Sequence, residues 1–428
     1  SFGDAAIHLA VRVPNPTALT ALLAANDDPI PVAGAVDAFG TPLLTMPRAE
    51  HALNPLDVNV PNGRGDTALM LAAYHGHSRV IKQLLDAGAN VNACNVKQAH
   101  GGTALMYACW MGHVSACRLL LASKDIDVHQ RDNTPQAWPA LLYAAGAANG
   151  TDTDRPDVIR ALLNAGADVT VVDGHDGRNA LMQAAGNGYV EATQLLLSLE
   201  EVDVNLADRD GVTAIMMAAI HGRAELVRLL LNNGKPPNAV PAERAERAER
   251  SATIEELEPL ADRQLLASAD VTREERPTTS GRSKGKLAKT SRVVDVNAVD
   301  KEGYSALIWA AGKGHAEAVS ALLSSARDEA GASTLNVNVT TRVNRDTALM
   351  MAAANDHVDV IALLLRVDGI DVNARNDKGD SALLLAARYG FTGAMKTLLS
   401  CKAVDKDATD RDGFTAGTLA RKALISAH

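Results

Sequence analysis

Apolar positions recur along this chain in one short phrase. In a clear copy, Thr67 precedes Leu69, Ala72 and Ala73, which fall at i, i+3 and i+4 on one helix face. Gly76-His77 then interrupts the stripe. A second stripe follows at Val80, Ile81, Leu84 and Leu85, and Gly88 stands where a left-handed cap is wanted. The Thr67 hydroxyl is placed to accept an orphan backbone N–H of the first helix. The pattern therefore predicts two short helices per phrase. Such a pair cannot bury its apolar face alone and needs its neighbours.

Other clear copies begin at Thr103, Thr213, Ser305, Thr347 and Ser381, and looser ones at Ala5, Pro139, Asn179 and Thr415. Spacings from Thr67 to Thr213 are 36, 36, 40 and 34 residues, and the last two are 34 and 34. A period of roughly 33 residues signals a solenoid.

The unit resembles the ankyrin repeat. The likeness is carried by Gly65-Asp66-Thr67-Ala68-Leu69-Met70-Leu71-Ala72-Ala73-Tyr74-His75-Gly76-His77 and by the closing Gly88-Ala89-Asn90-Val91-Asn92-Ala93. Asp203-Val204-Asn205, Asp295-Val296-Asn297 and Asp371-Val372-Asn373 repeat that closing. The resemblance implies an all-α solenoid of stacked helix-turn-helix units with β-hairpin loops, which binds another protein on its concave face. The chain departs from the family in carrying Ala where the family has Pro after Thr. Both suit a first helical turn. The family His after Leu survives as His8, whereas Met70, Met106, Met182 and Met350 replace it elsewhere. Soft thioether packing is expected in place of a polar hairpin contact. The hairpin asparagines Asn92, Asn205, Asn297 and Asn373 correspond to a hydroxylation target of the family. Their default role is to fix their own turn through the side-chain amide.

Two interruptions divide the chain. Residues 1–26 read as an N-terminal capping repeat and 27–57 as an extended loop or degenerate repeat. Residues 58–234 hold the repeats that start near Thr67, Thr103, Pro139, Asn179 and Thr213. Thr213 and Ser305 are 92 residues apart, so about 59 are extra over a period of about 33. They map to an insertion at 235–292. Residues 293–428 hold the repeats near Ser305, Thr347, Ser381 and Thr415 and a C-terminal cap. The insertion begins with a helix-like stretch rich in Ala, Glu and Arg. It ends in a basic tract with Arg282, Lys284, Lys286, Lys289 and Arg292, a candidate modification or import tract whose composition equally suits a solvated linker. Gly281 to Lys286 only faintly echoes a phosphate loop, lacks Ser or Thr after the lysine, and follows no strand.

Composition narrows the function. The chain is 47% hydrophobic but only 3% aromatic, which suits Ala/Leu helix stacking. A net charge of −9 argues against a nucleic-acid surface, which needs a basic stripe. The four cysteines form no CxxC motif, and Cys109 and Cys117 fall at apolar helix positions, so a reducing compartment is expected: cytoplasm, with nucleus as alternative. No run of 18 apolar residues predicts a membrane span. His75, His77, His113, His221 and His315 are strung along the array instead of converging on a metal. No nucleophile elbow, zinc-protease helix or dinucleotide fingerprint is found, so neither catalysis nor a cofactor is expected.

The remaining signal is positional. The resemblance implies that the residue before Thr and the two before Gly-His build the binding face. Six of the 13 aromatic residues fall there: Tyr74, Trp110, Trp138, Tyr304, Tyr389 and Phe414. Aromatic side chains, Met and Arg are what interface cores favour. The expected protein-binding set is Asp66, Tyr74, His75, Trp110, Met111, Trp138, Ile220, His221, Tyr304, Asp346, Asp380, Arg388 and Tyr389, with the aspartates tuning charge. Tyr107, Tyr143 and Trp309, just before Ala-Ala or its equivalent, are expected to pack between repeats. The reading is a non-catalytic scaffold or adaptor for one or more proteins, with no nucleic acid, membrane or metal partner. The alternatives are an arm of a larger enzyme or a secreted effector that engages a host protein.

Overall fold

The structure, a computed structural model, describes His8, Val11 and residues 57–95, 97, 101–146, 154–232, 293–325 and 334–426. Helix pairs follow one another along these residues. The first four pairs are α1 (Ala68–Tyr74) with α2 (Ser78–Asp86), α3 (Ala104–Met111) with α4 (Val114–Leu121), α5 (Ala140–Gly146) with α6 (Pro156–Asn164), and α7 (Ala180–Asn187) with α8 (Val190–Leu197). Next come α9 (Ala214–Ile220) with α10 (Ala224–Leu231), α11 (Ala306–Lys313) with α12 (Ala316–Ser325), α13 (Ala348–Ala353) with α14 (Val358–Leu364), and α15 (Ala382–Arg388) with α16 (Thr392–Leu399). Then α17 (Ala416–Ser426) follows. Hairpins precede the first helices, and most are closed by an isolated antiparallel bridge, such as Cys94 with Thr103 or Val299 with Ser305.

The caps explain where the first helices start. The hydroxyls of Thr67, Thr103 and Thr347 each accept the backbone N–H three residues on, at 3.3 Å. The methionine three residues on answers in kind. Met70, Met106 and Met350 place Sδ 3.4, 3.3 and 3.5 Å from the backbone N–H of Thr67, Thr103 and Thr347. This corrects the expectation of soft packing alone: the thioether is a weak acceptor that closes a reciprocal capping box.

The core lies between successive pairs. Leu69, Ala72, Ala73, Ile81 and Leu84 are buried, as are their counterparts Leu307, Ala310, Ala311, Val319 and Leu322. The small Ala pairs let neighbouring first helices approach. Cys109 and Cys117 are fully buried, with Sγ atoms 3.7 Å apart. The Gly-His pair also works between repeats. The His315 ring donates through Nε2 to the Ile220 carbonyl, 3.0 Å away, and lies over Gly222. A Cβ at Gly222 (φ +68°) would sit 2.7 Å from that ring, so both backbone conformation and space demand glycine. His113 meets Tyr74 O and His357 meets Gly312 O in the same way, at 3.1 Å.

The described residues form two compact units. One holds His8, Val11, 57–95, 97, 101–144 and 160–167. The other holds 145–146, 154–159, 168–232, 293–325 and 334–426. Within the second unit the array continues across the expected insertion: α10 packs on α12, and α9 on α11. Most of residues 1–56 and all of 233–292 lie outside the described residues, and with them the loop at 27–56 and the basic tract.

Candidate functional site

The hairpin turns supply the frame on which the candidate residues stand. Each turn has one buried Asn, Asp or Thr that gathers backbone N–H groups. Asp300 Oδ1, for example, accepts Glu302 N at 3.0 Å and Tyr304 N at 2.8 Å. Asn62, Asn95, Asp132, Asp173, Asp208, Thr341, Asn376 and Asp410 occupy equivalent buried positions. A second partner then locks several of them. Tyr143 donates to Asp132 Oδ2 at 2.5 Å, Trp309 Nε1 to Asp300 Oδ2 at 2.9 Å, and Arg178 Nε to Asp208 Oδ2 at 3.0 Å. Burial and the Asp132 hydrogen bond push the Tyr143 phenol far above its ordinary value, so it stays a donor.

In the first unit this frame gathers an aromatic cluster. Tyr74 meets Tyr107 and Trp110 edge-on with ring centres 6.3 Å apart. Trp110 lies 6.4 Å from Tyr143, and Trp138 meets Tyr143 edge-on at 5.3 Å. Gly102, Met106, Tyr107, Trp110 and Tyr143 line a small apolar crevice here. Met111 closes α3 beside Trp110. The exposed His75 sits edge-on to Tyr74 at 5.1 Å. Tyr107 and Tyr143 are buried, as expected of residues that pack between repeats, and both also line the crevice. They share one repeat column, four residues after the cap.

In the second unit a groove of about 710 Å³ runs along the C-terminal repeats. It brings together Tyr304, Asp346, Asp380, Arg388 and Tyr389. Met351 and Leu385, from the same column as Tyr107, also line it. Tyr389 is 56% exposed. Ile220 and His221 join neither cluster. The Ile220 carbonyl meets His315, and the His221 ring bonds Met217 O at 2.9 Å.

The aspartates need a correction. Asp66 and Asp380 were expected to tune surface charge, but both are buried. Asp66 Oδ1 accepts Asn95 Nδ2 at 2.6 Å, and Asp380 Oδ1 accepts Arg388 Nη2 at 2.6 Å. Asp66 thereby ties its hairpin to the next one, whereas Asp380 is held within its own repeat by Arg388, which also reaches Asp410 Oδ2 of the next repeat at 3.0 Å. Asp346 is half-buried and accepts Asn376 Nδ2 at 2.8 Å.

The hairpin asparagines also differ from expectation. The aspartate or asparagine two residues earlier fixes the turn: Asp295 Oδ1 accepts Asn297 N and Asn90 Oδ1 accepts Asn92 N, both at 3.0 Å. The asparagine reaches the next repeat instead. Asn297 donates to Thr334 O and accepts from Asn336 N, both at 2.7 Å. Asn92, Asn205, Asn338 and Asn373 make the same paired contact. An amide has both a donor and an acceptor, which a carboxylate lacks.

A family pattern described as ankyrin repeats (3 copies) matches residues 7–132, 140–240, 283–376 and 333–412. The chain belongs to the ankyrin-repeat family. Ankyrin repeats are a protein–protein interaction domain, and this fold is typically non-enzymatic. The ankyrin domain-containing protein SAT10 of Stachybotrys chartarum is 41% identical over 73 residues, 16% of this chain and 4% of its own length. Neurogenic locus notch homolog protein 2 of Homo sapiens is 33% identical over 148 residues, 34% of this chain and 5% of its own. Cortactin-binding protein 2 of Rattus norvegicus is 39% identical over 71 residues, 17% and 4% respectively. The chain thus spans only a small share of these relatives. Among solved structures, the ankyrin repeat domain of Bcl-3 aligns with a TM-score of 0.41 at 26% identity, over 55% of this chain and 88% of that one. No helix among the described residues is long and apolar enough to cross a membrane.

Proposed function

We propose that this ankyrin-repeat protein is a non-catalytic scaffold or adaptor that holds a partner protein against the hairpin and first-helix side of its repeats. The observation that carries the reading is the gathering of scarce aromatics. A chain with 13 aromatic residues places Tyr74, Tyr107, Trp110, Trp138 and Tyr143 in one contact network, and Tyr304 and Tyr389 in one groove. Rigid amphipathic rings of this kind are what binding hot spots use. Asp66 acts in this reading through the frame it holds, while Trp110 and Tyr304 act as anchors.

The test is affinity capture from source-cell extract with the intact chain beside a Trp110→Ala/Tyr304→Ala version. Proteins enriched by the intact chain and lost with the double variant are the expected result. The Trp110→Ala change alone is expected to weaken binding by roughly 1–3 kcal/mol and leave helicity unchanged. Equal capture by both versions would move the binding site off these surfaces.

A further inference from the structure

We propose that the groove of the C-terminal repeats receives an arginine side chain from an extended partner segment, between the carboxylates of Asp346 and Asp380 and the ring of Tyr304. The inference rests on the partner-binding reading above and names the chemistry of the partner at that groove.

Asn376 sets the two acids side by side. Its Nδ2 donates to Asp346 Oδ1 at 2.8 Å, and its Oδ1 accepts Asp380 N at 2.9 Å. The Asp380 side chain is 0% exposed, and it lines the groove. One of its oxygens takes Arg388, while among the described residues Oδ2 has no hydrogen-bond partner. A buried carboxylate oxygen left without a donor is costly, and an incoming N–H relieves that cost.

Arg388 does not meet the demand. Its Nη2 is shared with Asp410 Oδ2 at 3.0 Å, so one guanidinium serves two carboxylates and Asp346 is left beside them. The exposed rim carries Asp377 and Asp412 against Lys378 and Arg411, which balance one another. Among the described residues, the three carboxylates of Asp346, Asp380 and Asp410 therefore have one guanidinium between them. Tyr304 senses the same field: burial, then Glu302, Asp346 and Asp300, raise its phenol above the ordinary value. Its ring is held by stacking on Trp309, with centres 4.6 Å apart and planes at 27°. Trp309 is in turn held by Asp300.

Arginine suits this arrangement better than lysine. A guanidinium is planar, stacks on an aromatic face, and offers several N–H groups at fixed angles to two carboxylates. The exposed Tyr389 ring and the Met351 side chain line the same groove and offer an apolar surface to the stem of such a residue.

The test selects short random peptides displayed on phage against the 428-residue chain. Binders are then titrated by fluorescence anisotropy against the chain and its Tyr389→Ala, Tyr304→Ala and Asp346→Asn variants, with folding checked by circular dichroism. Groove binders, recognised by their loss on Tyr389→Ala, are expected to contain arginine. Replacing that arginine by citrulline, which keeps the shape and removes the charge, is expected to weaken binding about tenfold or more, as is Asp346→Asn. Groove binders without arginine, or indifferent to citrulline and to Asp346→Asn, would overturn the inference and leave the groove reading standing. If no selected peptide responds to Tyr389→Ala or Tyr304→Ala, the groove reading fails and the inference with it.

Discussion

Single side chains carry more of this structure than their types suggest. Met70, Met106 and Met350 read as core residues, and they are buried, yet each also closes a cap through sulfur. Nothing in an apolar pattern distinguishes a methionine that packs from one that accepts a hydrogen bond. Asp154 is a second such case. Its carboxylate accepts Glu191 N at 2.6 Å and Ala192 N at 3.1 Å, at the start of α8. Burial first, and then the neighbouring Glu191 side chain, push its carboxyl up to about 7 from an ordinary 3.8. The folded chain then holds a proton that the unfolded chain has lost between about pH 4 and pH 7. Stability from this group is full below that window and falls as pH rises through it. Asp154→Asn keeps an acceptor but cannot titrate. Urea unfolding followed from pH 4 to 8 is expected to show a midpoint that declines with pH in the native chain, and a flatter profile in the variant.

At the scale of elements, the hairpins divide their labour. Asp295 shapes the turn, and Asn297 ties it to the next hairpin. The Asp-Val-Asn closing was plain in the sequence, and so was its place in a turn. Which residue bonds within the turn and which bonds across it depends on the distance to a neighbour that the pattern does not contain. Asn297→Ala removes both bonds to Thr334 and Asn336 and is expected to cost about 1–2 kcal/mol, since the site is exposed and water recovers part of the loss. Hydrogen exchange should locate the effect: protection of the Asn336 amide falls, while amides of α15 are unchanged.

For the chain as a whole, the insertion is an interruption of sequence and not of stacking. Asn205 donates to Val293 O at 2.8 Å and accepts from Asp295 N at 2.8 Å, joining hairpins 88 to 90 positions apart as other asparagines join neighbours. Arithmetic along the chain agrees. In the sister repeat, Leu197 precedes Asp203 by six positions. Removal of residues 235–292 would leave Leu231 six positions before Asp295, counted through Asn232, Asn233, Gly234, Val293 and Val294. The shortened chain is expected to keep its helical circular dichroism signal and its unfolding midpoint. A large loss of either would show that the insertion supports the array.

The sequence by itself determined the repeat, its two helices, its caps and its glycines. These rest on local propensity and on a periodicity that reappears often enough to be read without neighbours. It also marked most of the clustered aromatic residues by their column. Only the tertiary structure decided which polar residues face inward. Asp66 and Asp380 sit in the same column as Tyr304, but a carboxylate beside an amide of the next turn, or a guanidinium at the end of its own first helix, is drawn into the stack, while a ring too large for that gap stays at its edge. Burial of a charge depends on a partner that folding brings beside it, and that partner is specified by packing distance.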